Sequence, residues 1–271
     1  MKKMHVTKIQ QFQNKIFTYY AQKKRDLPWR KTTDPYSILV SEVMLQQTQV
    51  DRVIKYYTEW ITTWPTFNAL AKAYRSEVLK KWLGLGYNSR AIRLHELAQK
   101  VSQQYQGDII KALSQEKLPG IGPYTQHAIE IFSLNKEGVT VDTNIRRILM
   151  HEFNLSSTIS DKDLETLAWQ CLPKGKSRDW HNALMDYGAT FLTAHKTGIK
   201  PKTTQSTFEG SDRQMRAQIV RYLLTKRKTL SYASLTHITK GISQERRAKI
   251  LQKMIEEGIL TQKKDKYMIK E

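Results

Sequence analysis

From residue 6 to residue 193, apolar side chains return every three or four positions, block after block: 6–22, 36–46, 49–61, 67–72, 75–83, 89–105, 108–116, 123–134, 143–153, 161–171 and 178–193. That is the period of a helix with one buried face. No stretch before about residue 257 alternates as a strand does. A chain patterned this way hides its stripes by packing helix on helix, so residues 1–195 are expected to form an all-α domain with short connections. Residues 196–206, KTGIKPKTTQS, are polar and basic with no periodic apolar positions, as a linker is. Beyond them 211–227, 231–239 and 243–257 read as three helices, and GILTQKKDKYMIK as a hairpin turning at Lys264 and Asp265. That pattern makes 207–271 a small winged-helix-like domain; a helical appendage to the first domain fits it as well.

Lysine and arginine number 45 against 25 aspartate and glutamate, a formal net charge of +20. The excess runs along the whole chain, so the surface should attract polyanions, nucleic acid foremost. A membrane-surface protein would need a long basic amphipathic helix or a lipidation signal, and the sequence offers neither. The first twenty residues lack the apolar run of a signal peptide, which leads us to expect a cytoplasmic protein, and a monomer by default. With one cysteine, Cys171, internal disulfides and four-cysteine metal sites are excluded.

KLPGIGPYTQHA, residues 117–128, sets Gly120 and Gly122 at alternate positions, where positive φ and close backbone approach are tolerated. Pro123 suits the first turn of the next helix. A helix, a tight hairpin and a helix with outward-pointing amides make a nest for an anion, here a DNA phosphate. A plain helix corner uses the same residues. In VTVDTNIRRIL, Asp142 stands where a β-branched run meets a helix, and an N-cap is the plain alternative to a chemical role. In SILVSEVMLQQTQV, Glu42 lies among Ile38, Leu39 and Leu45, where poor solvation raises a carboxyl toward the range of a general acid. The plain alternative there is a glutamate that snorkels or pairs with an arginine.

LPWR (27–30), SEVMLQQTQV (41–50), GLGYNSR (84–90), LPGIGPYT (118–125), VDTNIRR (141–147) and ALMDYGA (183–189) occur in this order. The set resembles the helix-hairpin-helix DNA glycosylases, and is most similar to the adenine glycosylases of the MutY type, over roughly residues 8–195. The resemblance implies a cleft between two helical subdomains that holds a flipped-out nucleotide, and cleavage of its N-glycosidic bond. Such chemistry needs protonation of the leaving base and stabilisation of an oxocarbenium-like sugar. It makes Glu42 the acid and Asp142 the carboxylate that stays ionised beside the sugar, aided by the amide-rich start of its helix. Asn144 positions Asp142, and Tyr124, hydrogen-bonded near Glu42, stands where relatives that also cut the backbone carry a Schiff-base lysine. The implied enzyme is therefore monofunctional.

By the same resemblance Leu27, Trp29 and Arg30 wall the extruded base, with Leu45, Asn182, Met185 and Asp186 completing the pocket. Gln47 and Tyr87 wedge into the duplex where the base left, Gln46 and Thr48 belong to the same DNA-binding surface, and Leu118, Gly120, Ile121, Gly122, Tyr124 and Thr125 grip its backbone. The partner implied is double-stranded DNA with a mismatched or damaged pair. The chain departs from the pattern in lacking the four cysteines of an iron–sulfur cluster, so loop packing and Lys196, Lys200 and Lys202 are expected to substitute. No cofactor is expected beyond a structural monovalent cation at the hairpin. Asn182 replaces the usual Gln or Glu, and Thr143 replaces a usual Gly and also occurs in relatives acting on pyrimidines. A short, mostly helical segment replaces the β-rich domain that reads 8-oxoguanine. That segment gives no support for 8-oxoguanine selectivity, and on the whole set of motifs removal of adenine opposite G or 8-oxoguanine is the leading expectation, removal of thymine or uracil opposite G the second, and a non-catalytic architectural DNA-binding protein the third.

Overall fold

The structure, a computed structural model, describes residues 2–200, 207–226, 229–239 and 241–271. Residues 201–206 of the expected linker, Lys202 among them, lie outside the described residues. The helices are α1 (Lys2–Lys23), α2 (Pro35–Leu45), α3 (Val50–Thr63), α4 (Phe67–Ala71), α5 (Arg75–Trp82), α6 (Ser89–Tyr105), α7 (Ile109–Gln115), α8 (Pro123–Leu134), α9 (Thr143–Glu152), α10 (Asp161–Cys171), α11 (Ser177–Asp186), α12 (Ala194–Thr197), α13 (Asp212–Thr225), α14 (Tyr232–Ile238) and α15 (Gln244–Glu256). Strands β1 (Leu230–Ser231), β2 (Leu260–Lys263) and β3 (Lys266–Ile269) form an antiparallel sheet in the order β1-β3-β2. The hairpin turns at Lys264 and Asp265 as expected, with Lys264 at φ +53°. Among the described residues, no helix is long and apolar enough to cross a membrane.

The chain divides into two compact units, Met1–Ile38 with Gly122–Thr204, and Leu39–Ile121 with Gln205–Glu271. These units cut across the sequential reading of domains 1–195 and 207–271. The cause is where the apolar stripes find partners. On α1, Phe12, Ile16 and Tyr20 recur at four-residue spacing, and they pack into one core with Ile145, Ile148 and Leu149 of α9 and Trp180, Ala183 and Leu184 of α11. Phe12 meets Trp180 edge-on at 5.5 Å and Phe153 at 5.2 Å. Burying aromatic side chains of this size is worth about 1.5–3 kcal/mol each.

The second unit has its own centre. Trp60 of α3 lies edge-on to Trp64 at 4.8 Å and to Trp82 of α5 at 5.4 Å. Its C-terminal portion is tied to this helical part by Arg75, which donates to the Gly258 carbonyl at 2.8 Å and to Glu96 at 3.0 Å.

The expected helix over 178–193 is not continuous. α11 ends at Asp186 and a wider π-turn runs over Tyr187–Phe191, closed by the Leu192 amide on the Tyr187 carbonyl at 2.8 Å. A side chain from α9 takes the carbonyls of Gly188 and Leu192, and the backbone opens around it. Beside this turn the Lys196 ammonium sits 4.9 Å from the Phe191 ring centre.

Candidate active site

Asp142 enters α9 as its N-cap, with Oδ1 accepting the Ile145 amide at 2.7 Å. This geometry is that of the N-cap, the plain reading of this residue. Oδ2 accepts from Asn144 Nδ2 at 3.2 Å. Asn144 is itself oriented: Arg147 Nη2 donates to its Oδ1 at 2.7 Å and to the Gly188 carbonyl at 2.8 Å, while Arg147 Nε donates to the Leu192 carbonyl at 2.8 Å. Gly188 explains the glycine in ALMDYGA, because a Cβ there would lie 3.0 Å from Ile148 Cδ1 and 3.1 Å from Asn144 Cβ. The chain leading into Asp142 is held from α11. His181 Nε2 accepts the Thr140 amide at 3.2 Å, and its Nδ1 faces the Ser177 carbonyl at 2.7 Å, which assigns the proton to Nδ1. Burial holds the His181 imidazole below its ordinary pKa, hence neutral.

The electrostatics of Asp142 differ from expectation. Burial pushes its carboxyl above the ordinary aspartate range, and the Ile145 and Asn144 amides, the Asn144 side chain and Arg147 pull it back only in part. The residue keeps some exposed surface, but its carboxyl group lies deep, and desolvation outweighs the helix start.

Asp142 opens on a groove of about 440 Å³ within the first unit, together with Tyr124, His127, Thr143 and Arg146. Tyr124, exposed, stands in the first turn of α8 directly after Pro123. Gly120 adopts φ +78°, as the hairpin requires, whereas Gly122 is an extended N-cap at φ −88°. A Cβ at Gly122 would meet nothing within 4 Å, so this glycine relieves no clash, and as the N-cap of α8 it contributes no side-chain cap. The side chains of Leu118 and Thr125 are buried; Ile121 is half-buried.

In the second unit Glu42 is partly buried on α2, between buried Ser41 and Val43, and Leu39 is fully buried. α2 stops at Leu45, half-buried, and Gln46, Gln47 and Thr48 make the turn that follows, with Gln47 at φ +55°. Tyr87 also lies in the left-handed region, at φ +49°. Both expected duplex-entering side chains thus sit on backbone that L-residues seldom adopt. Arg90, buried, links their two loops. Its Nη1 donates to the carbonyls of Val43 at 2.7 Å and Gln46 at 2.6 Å, and its Nη2 to those of Gly86 at 3.0 Å and Leu85 at 3.3 Å. Burial lowers its pKa to about 10, which keeps it charged at neutral pH. Arg90 has no role in the sequence reading, although it closes the motif GLGYNSR.

Leu27 and Trp29, expected to face the base, are buried around the short 3₁₀ turn Pro28–Arg30. Arg30 grips fully buried Asp186 with two parallel hydrogen bonds, at 2.7 and 2.9 Å, and reaches the Asn182 carbonyl at 3.3 Å. Arg25 adds a second ion pair to Asp186. Burial alone would raise the Asp186 pKa, but Arg30 and Arg25 outweigh it and hold the carboxyl below its usual range. Asn182, about one turn before Asp186 on α11, and Met185, directly before it, are half-buried.

Residues 40–174 match the HhH-GPD superfamily base excision DNA repair protein family. The chain is 32% identical over 275 residues to the adenine DNA glycosylase of Mycolicibacterium smegmatis, covering 92% of both chains. The chain belongs to the HhH-GPD superfamily. It is 38% identical to the human adenine DNA glycosylase over 205 residues, 70% of this chain and 38% of the human one. The chain spans about two fifths of the length of the mammalian HhH-GPD relatives it matches. Among solved HhH-GPD structures, a thermostable thymine-DNA glycosylase superposes with a TM-score of 0.63 at 34% identity, covering 70% of this chain and 90% of that one.

A four-cysteine iron–sulfur cluster, which the resemblance to HhH-GPD relatives brings with it, does not fit the residues present. The sequence has one cysteine, Cys171, and its thiol is buried in the core and pushed up to about 12.

Proposed function

We propose that the protein is a monofunctional DNA N-glycosylase of base excision repair that removes adenine mispaired with G or 8-oxoguanine. The observation that carries this reading is the similarity to an adenine DNA glycosylase across 92% of both chains. In this reading Glu42 protonates the adenine and Asp142, ionised, stabilises the sugar cation and helps deliver water. Asn144 and Arg147 keep the Asp142 carboxylate turned the right way. The raised pKa of Asp142 fits a site where desolvation strengthens its attraction for a developing cation. Tyr124 supplies a phenol where a Schiff base would need an amine, so strand scission is not part of the reaction. The tight hairpin leading into the N-terminus of α8, in a chain of net charge +20, supports a phosphate contact. The enzyme works without an iron–sulfur cluster or other cofactor, a monovalent cation at the hairpin aside, on chromosomal DNA in the cytoplasm.

The likeness to a thymine-DNA glycosylase, with Thr143 after Asp142, favours a second reading in which thymine or uracil opposite G is released. Duplexes carrying one A:8-oxoguanine, A:G, T:G or U:G pair decide between them, each reaction split with and without alkali. Strand cleavage only after alkali and only with the adenine duplexes is the expected result. Release from T:G or U:G would install the second reading; cleavage without alkali would overturn the monofunctional assignment.

A further inference from the structure

Tyr87 is held by two guanidinium groups of its own unit. Arg90, five carbonyls in its grip, has its Cζ 5.5 Å from the ring centre. Arg213, in the first turn of α13, has its Cζ 5.3 Å from the same centre and donates from Nη1 to the phenol oxygen at 3.0 Å. The two arginines lie 123 positions apart (213 minus 90), and the second belongs to the C-terminal portion that has no counterpart in the glycosylase motifs.

We propose that Arg213 is a positioning residue through which the C-terminal portion sets the duplex-entering side chain of Tyr87. The inference rests on the reading of Tyr87 as a group that enters DNA. The ring sits on backbone at φ +49°, so its direction depends on side-chain partners more than on a regular element. Arg90 fixes the base of the loop, and Arg213 fixes the tip by a charge-assisted hydrogen bond and a cation–π contact. α13 is itself anchored: Ser211 caps its Gln214 amide, and Met215 and Ile219 are buried. A rigid Arg213 removes rotamers from Tyr87 before DNA arrives, which lowers the ordering cost at the moment of binding.

The test uses the full chain with Arg213→Ala, Arg213→Lys, Tyr87→Ala and the double variant. Single-turnover base release is measured together with fluorescence of 2-aminopurine at the mispaired position, which reports extrusion without chemistry, and duplex affinity is measured over a salt series. Arg213→Ala is expected to lower base release and extrusion about tenfold, the scale of one charged hydrogen bond. Lysine, lacking the planar fork, should recover less than half of the loss. In the Tyr87→Ala background Arg213→Ala should add nothing, and the slope of log affinity against log salt should stay as in the wild type. A loss of the same size in both backgrounds, or a salt slope reduced by about one, would make Arg213 a direct phosphate contact and overturn the inference. Full activity of Arg213→Ala beside a crippled Tyr87→Ala would overturn it too, leaving the reading of Tyr87 intact. Absence of both base release and extrusion in the wild-type chain would overturn the glycosylase reading itself, and this inference with it.

Discussion

Arg147 donates to the side-chain oxygen of Asn144 at 2.7 Å, which leaves the Asn144 amide nitrogen facing Asp142 at 3.2 Å. Three residues within two turns of α9 thereby fix the direction of one carboxylate. Rotamer freedom is removed at each link, so the geometry is set before any substrate binds.

Replacing Asp142 by Asn keeps the cap and removes the charge. Base release should fall on the order of a thousandfold while duplex binding persists. Stability should move the other way. The folded-state pKa of Asp142 is raised, so its ionised form costs stability at neutral pH, and the neutral amide should raise Tm by about 2–4 °C, the equivalent of roughly 1 kcal/mol in a chain of this length. A lower Tm by calorimetry would contradict the burial argument.

The same shift predicts a pH profile. In the proposed reaction Asp142 works ionised, so activity is expected to drop as pH falls through a pKa that lies above the ordinary aspartate value. In Asn144→Ala a hydrogen bond to the ionised form is lost, and the acid limb of single-turnover rate against pH should move to higher pH. A limb moving to lower pH, or none, would refute the assignment.

His181 makes stability itself pH-dependent. Its folded-state pKa lies below the unfolded value, so its contribution is present above about pH 6.5 and is lost as pH falls, by at most about 1.4 kcal/mol per unit. Buried His95 is lowered in the same sense, so the informative quantity is a difference. In urea unfolding from pH 7.5 to 5, His181→Gln should be less stable than the wild type at the upper end and lose less on acidification.

Arg90→Lys tests the clamp between the Gln47 and Tyr87 loops. A lysine cannot reach carbonyls on both loops in a fixed fork, and each buried acceptor left unpaired costs about 1–3 kcal/mol. A loss of about 2–4 kcal/mol in urea denaturation and about tenfold in duplex affinity is expected. A stable variant with weakened DNA binding would confine Arg90 to the loops.

Much of this was legible in the residues alone. Phe12, Ile16 and Tyr20 announce a helix by spacing, and Lys264 and Asp265 announce a turn. Asp142 was visible because a cap must stand at a helix start and because its motif is specific. The supporting residues were not visible, for a physical reason. Beyond Asn144, Arg147 reaches carbonyls 41 and 45 positions away, His181 holds an amide 41 positions away, and Asp186, placed by the resemblance in the base pocket, is paired with Arg30 and Arg25 156 and 161 positions away; local periodicity says nothing about such partners. Gly188 shows the same limit: its need for a missing Cβ arises from Asn144 and Ile148 on another helix. The division into two discontinuous units was hidden likewise, since a stripe reveals that it will be buried and not against what.

The first unit also has a schedule. Gln13 of α1 hydrogen-bonds the carbonyl of Cys171, 158 residues further on, so on the ribosome α1 emerges long before its partners exist. At roughly 5–20 residues per second it waits on the order of ten seconds or more with its apolar stripe uncovered. Residues 39–121 are made in that interval and can assemble among themselves. Synthesis therefore exposes α1 first and satisfies it late, and a cell making this protein quickly would depend on whatever shelters that one helix.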